Sequence, residues 1–79
     1  MSPKLPTISG QVAVLAFQRL GYEVVRQRGS HIRLRHPLDP SRKPLTVPDH
    51  PTLKPGLLRR LIRDAQLEVE EFTSLLGSL

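Results

Sequence analysis

The 79-residue chain has no cysteine and no tryptophan, carries only three aromatic rings (Phe17, Tyr22 and Phe72), and has three acids in its first 63 positions. No apolar run approaches the roughly 18 residues that a membrane-spanning helix needs. Each shortage excludes something. Without cysteine there is no disulfide framework and no thiolate metal site, and a reducing cytoplasm is the natural setting. Met1 to Pro6 has no apolar h-region, so a soluble, cytoplasmic domain away from membranes is expected. With both phenylalanines expected in the core, there is no aromatic platform for reading single-stranded bases by stacking.

What remains is basic. All twelve lysines and arginines lie in positions 1 to 63 against Glu23, Asp39 and Asp49, a local net charge of +9, while Asp64, Glu68, Glu70 and Glu71 make the last 16 residues −4. A cationic body of this kind favours a polyanion, because each phosphate contact releases condensed counterions. A chain of this size forms one small domain, and such domains bury only about 60% of their unfolded surface. We read residues 1–79 as a single domain, with 1–8 a proline-containing tether and 9–76 the folded unit.

The charge is concentrated in Arg26-Gln27-Arg28-Gly29-Ser30-His31-Ile32-Arg33-Leu34-Arg35-His36-Pro37, a stretch with four arginines, two histidines and no acid. Its second half alternates, so Ile32 and Leu34 face one side of a strand and His31, Arg33 and Arg35 the other. One imidazole thus stands beside two guanidiniums, whose planar forks of donors match phosphate bidentately.

The rest reads as scaffold. Ser9 is a plausible N-cap for a helix from about Gly10 to Leu20, with Gly21 as its stop. Ala13, Val14, Phe17 and Leu20 form its core stripe; Val12, Leu15 and Ala16 add apolar surface elsewhere, for a broader core contact or a partner. Tyr22 to Arg28 is a first strand, Gly29-Ser30 a tight turn, His31 to His36 a second strand, and Leu45-Thr46-Val47 a third. Pro55 suits the first turn of a second helix, along which Leu57, Leu58, Leu61, Ile62 and Ala65 make an apolar side with Arg59, Arg60 and Arg63 off it. A short last helix, about Val69 to Leu76, begins among acids that suit its positive end. His36 and His50 read as turn residues. Three scattered histidines without paired carboxylates fit neither zinc nor magnesium spacing, so no metal and no cofactor is expected.

Gly21-Tyr22, then Arg26 to His31, then Arg35-His36-Pro37, Thr46-Val47-Pro48, and Leu53-Lys54-Pro55-Gly56-Leu57-Leu58-Arg59 with Ile62 and Ala65, resemble the HicA family over about residues 9 to 76. The resemblance implies an α+β fold like that of double-stranded-RNA-binding domains: a three-stranded antiparallel sheet with helices packed on one face, ordered α-β-β-β-α plus a short C-terminal helix. It also implies the toxin of a type II toxin–antitoxin system, an mRNA interferase whose Gly-Ser-His histidine, here His31, is catalytic, neutralised by a HicB-like antitoxin protein. Arg26, Arg28, Ser30, Arg33, Arg35, Lys54 and Arg59 are the expected RNA-binding residues. The sequence departs from the family at Val12 and Leu15 on the first helix, at Ile32 after the histidine, and in the basic, proline-rich loop from Pro37 to Pro44. These departures bear on the choice of partner.

The chemistry such residues offer is metal-independent. In RNA the 2′-hydroxyl is an internal nucleophile, so the protein need only move protons and stabilise charge. A histidine changes charge near neutral pH and can take the hydroxyl proton, while Arg28 or Arg33 steadies the developing phosphorane. Two other readings use the same residues: a non-catalytic RNA-binding domain, with His31 an ordinary strand histidine, and an interaction module held by an antitoxin-like partner.

Overall fold

The computed structural model describes residues 4–79, so Met1 to Pro3 of the expected tether lie outside the described residues. The elements run α1 (Gly10–Leu20), β1 (Glu23–Arg28), β2 (His31–Arg35), β3 (Leu45–Pro48), α2 (Pro55–Asp64) and α3 (Val69–Gly77). The sheet is antiparallel in the order β1-β2-β3. This is the α+β, α-β-β-β-α arrangement with a C-terminal helix that the sequence pattern predicts.

Helix α1 forms where it does because both ends are capped. Ser9 Oγ accepts from the Val12 N–H at 3.1 Å, and Gly21, at φ 116°, takes the left-handed turn that closes the last carbonyls. Its buried face is Ala13, Val14, Ala16 and Phe17. Ala16 therefore belongs to the core rather than to an outer apolar side, and of the two residues expected beyond the stripe with it, Val12 is half-buried and Leu15 is 50% exposed. Leu20 is only half-buried at the rim of the core.

Two strand ends fall short of expectation for one reason. Tyr22 and His36, expected in the first and second strands, lie outside them and face each other edge-on at 5.1 Å. The left-handed Gly21 turns Tyr22 inward, where its ring meets Phe17 edge-on at 5.9 Å and its hydroxyl donates to the Lys43 carbonyl at 2.7 Å. His36 donates from Nε2 to the Leu20 carbonyl at 3.0 Å, and its Nδ1 accepts from the Asp39 N–H at 3.1 Å. Satisfying two backbone groups in this way is a structural role, consistent with a turn residue.

Burial pushes the Tyr22 phenol up to about 12. Below pH 10 the phenol is neutral folded or unfolded; between pH 10 and about 12 the unfolded chain gives up that proton first, so the fold loses stability as pH rises. Thermal melts across that window are expected to fall more steeply for wild type than for Tyr22→Phe. At neutral pH the variant should be less stable by about 1 kcal/mol, because the Lys43 carbonyl loses its donor.

The Pro37–Pro44 loop is pinned at its middle. Asp39 accepts from the Ser41 hydroxyl at 2.6 Å and pairs with Arg42 at 3.1 Å, and Arg42 also donates to the Ala65 carbonyl at the end of α2. The Ser41 hydrogen bond, with help from Arg42, holds the Asp39 carboxyl below the usual carboxylate range, so this support is present at neutral pH and lost on acidification.

The inner face of the sheet presents Ile32 and Leu34 from β2 and Leu45 and Val47 from β3, all buried against the helices. Helix α2 adds Leu58, Leu61 and Ile62, followed by Ala65, and α3 adds Phe72, whose ring lies 5.1 Å from that of Phe17. Gln66, at φ 61°, ends α2 in the left-handed region without a glycine. The amino-terminal stretch is tied in as well: Leu5 and Ile8 lie against the core, and the Leu53 N–H donates to the Ile8 carbonyl at 2.9 Å. No helix among the described residues is long and apolar enough to cross a membrane.

Candidate active site

The hairpin of β1 and β2 decides which side chains meet. Gly29 sits at φ 58° and Ser30 does not share the positive φ, which fits a two-residue turn with glycine first. Such a turn sets the register, placing Arg28 opposite His31, Arg26 opposite Arg33 and Glu23 opposite Arg35. A bulge at Val25 keeps Glu23 on the same face as Arg26. Arg26 and Arg33 face each other as like charges, an arrangement that costs stability and that a bound anion would relieve.

On the other side of β2, Arg33 pairs with Thr46 and His31 with Pro48. The Asp49 N–H donates to the Ser30 carbonyl at 2.6 Å, so by the alternation of an antiparallel ladder Arg33–Thr46 is a non-hydrogen-bonded pair, the kind whose side chains approach closest. The Arg33 guanidinium accordingly donates to Thr46 Oγ1 at 2.9 Å. This contact holds Arg33 across the sheet instead of leaving it free in solvent.

Together these residues enclose a hollow of about 230 Å³ lined by Arg26, Arg28, His31, Arg33 and Thr46. It contains three guanidiniums, one imidazole and one hydroxyl, and no acid. Among the described residues none of the three arginines is in an ion pair, and no protein hydrogen bond engages the His31 ring. Unpaired guanidiniums around an accessible imidazole make a site for an anion beside a proton acceptor. Among the described residues no three histidine, aspartate or glutamate side chains come together as a metal would require.

A second hollow of about 320 Å³ adjoins the first across the Arg33–Thr46 contact and reaches Arg60 and Asp64 of α2. Of the residues picked out by sequence, then, Arg26, Arg28, His31 and Arg33 converge, and Ser30 shapes the turn beside them. Arg35 stands at the far end of β2, opposite Glu23. Lys54 is the residue before α2 and Arg59 lies on that helix's exposed side; neither lines a hollow. Sequence reasoning missed Thr46, Arg60 and Asp64. Thr46 is within reach of the alternation of β3, which puts it on the Arg33 side; the sequence marks Arg59, Arg60 and Arg63 together as a second candidate basic surface, and helical spacing alone does not separate Arg60 from the other two.

A family model described as the HicA toxin of bacterial toxin–antitoxin matches residues 12–67, well over half of the chain. No curated protein and no solved structure matches it. The matched span runs from the first turn of α1 to just past α2 and takes in the whole sheet, the Gly29-Ser30-His31 turn and every residue of both hollows. The chain belongs to the HicA toxin family.

Proposed function

We propose that the protein is a metal-independent endoribonuclease acting on mRNA in the cytoplasm, with His31 as the group that handles the 2′-hydroxyl proton. The observation that carries the reading is the placement of His31 in a hollow whose other charged walls are Arg26, Arg28 and Arg33. The scissile phosphate binds the guanidiniums. His31 accepts the proton as the 2′-oxygen attacks phosphorus; the P–O5′ bond breaks, and the departing oxygen takes up a proton from the imidazolium or from water. The arginines offset the extra negative charge that builds on the phosphorane. The products are a 2′,3′-cyclic phosphate and a 5′-hydroxyl end. A HicB-like antitoxin that presents acids to this face would stop the reaction by covering the hollow and neutralising it.

The test is an incubation of purified protein with mixed-sequence RNA in EDTA. Scission leaving cyclic-phosphate ends, absent when the same sequence is supplied as DNA, is the expected result; scission that requires added metal, or that also occurs in DNA, overturns the mechanism. One observation favours a binding role without cleavage: no second acid–base side chain lines the His31 hollow. That reading gives salt-sensitive retardation of RNA with no scission at any pH. On either reading Arg26→Ala is expected to weaken RNA binding for all sequences alike and to flatten the log–log salt dependence by about 0.7 to 0.9, the loss of one phosphate contact.

A further inference from the structure

The hollow beside the His31 site differs from it in holding an acid. Pro44, Leu45, Leu57 and Leu61 contribute apolar lining, and its polar residues are Arg33, Thr46, Arg60 and Asp64. Arg60 and Asp64 are one helical turn apart, yet among the described residues the one ion pair within 4 Å is Arg42–Asp39. A cation placed four residues before an acid is the weaker order for a helical pair. Both groups are therefore available to a ligand.

Asp64 limits what that ligand can be. A phosphate diester is anionic and has no donor, so the carboxylate turns it away, and the occupant must bring hydrogen-bond donors. In RNA these are the ribose 2′-hydroxyls, which offer one donor each, and the N–H groups of the bases. Uracil offers one ring N–H between two acceptors, and adenine and cytosine each offer an amino group next to an acceptor. Guanine alone presents two adjacent donors, N1–H and N2–H₂, to the two oxygens of a carboxylate, and continues along the same rim with O6 and N7, the acceptors that arginine reads.

We propose that this second hollow is a base-recognition subsite for guanine, next to the phosphate held by Arg26, Arg28 and Arg33. Asp64 accepts from N1 and N2, Arg60 donates to O6 and N7, and Pro44 and Leu57, the apolar lining residues that are not buried, cover a ring face. Arg33, common to both hollows and fixed by Thr46, sets the distance between base and phosphate. The position of the guanine beside a reacting phosphate rests on the nuclease reading above; its binding does not.

The experiment uses oligouridylates of one length carrying a single G, A or C at a central position, read in two ways: initial cleavage rates of the RNA, and affinities of the fully 2′-O-methylated oligonucleotides, which cannot be cut. Wild type is expected to favour the guanine oligonucleotide about tenfold over adenine and cytosine in affinity, and in rate where cleavage occurs. In Asp64→Asn that ratio is expected to fall towards one, as it is in Arg60→Gln, with both variants melting like wild type because neither side chain has a protein partner among the described residues. Equal affinity for the four bases, or a guanine preference that survives in both variants, overturns the proposal. A guanine preference in binding without scission of any oligonucleotide would leave the subsite standing and sink the nuclease reading instead.

Discussion

His31→Ala is expected to cut RNA roughly 100- to 10,000-fold more slowly than wild type, the range that a positioned general base contributes. The variant should also fold as well as wild type. His31 is exposed, its neighbours on the outer face are solvated, and no hydrogen bond among the described residues engages its ring, so truncation removes no buried contact and the change in stability should stay within about 0.5 kcal/mol. That separation makes the experiment decisive, because loss of activity cannot be ascribed to loss of fold. RNA affinity should change little, since the arginines of the hollow carry the phosphate contact. Cleavage rates measured alongside thermal melts check both halves, and a His31→Ala protein that cuts at the wild-type rate removes His31 from the chemistry.

Gly10→Ala is expected to have the largest effect on stability, a loss of about 3 kcal/mol or more and a fall in Tm of roughly 15 °C. Gly10 opens α1 and is buried against the end of β3, where its N–H donates to the His50 carbonyl at 2.9 Å. A Cβ there would overlap the Pro48 carbonyl oxygen and lie 3.0 Å from the Pro48 carbonyl carbon and 3.2 Å from the Asp49 Cα. All three are backbone atoms, so no side chain can swing aside. Relief requires α1 to move away from β3, and with it the Phe17 and Phe72 packing. A domain of this size has only a few kcal/mol to lose, so much of the variant should be unfolded at 37 °C. Gly56→Ala is the control. It meets no atom within 4 Å in the first turn of α2, and it should stabilise by about 0.5 to 1 kcal/mol through the unfolded chain. Circular dichroism melts of the two variants distinguish a local clash from a general intolerance of alanine for glycine.

Much of this architecture is readable in the residues because local rules coincide there. Ser9 and Gly21 bracket α1, Gly29-Ser30 closes a two-residue turn, and the alternation from His31 to Arg35 matches a strand with one buried face. The misses have a common physical origin. Tyr22 and His36 satisfy strand patterns locally, but each fills a long-range role, one reaching Lys43 and the other Leu20. Ala16 is too small for periodicity to separate from an outer apolar face, and only the approach of neighbouring helices buries it. The left-handed Gln66 has no glycine to announce it.

The candidate site divides along the same line. Gly29-Ser30-His31 and the arginines around it are within twelve residues of one another, and alternation along β2 alone determined that His31 would share a face with Arg33 and Arg35; the register of the hairpin then sets Arg28 opposite His31 and Arg26 opposite Arg33. Only the tertiary structure decided that Thr46 holds Arg33, that Arg60 and Asp64 of α2 open onto the adjoining hollow, and that Lys54 and Arg59 do not. The reason is geometric: register is a local property with a period of two residues, whereas the rotation of α2 about its axis is set by how Leu58, Leu61 and Ile62 seat in a core built with β2, β3, α1 and α3, and that seating turns Arg60 towards the sheet and Arg59 away.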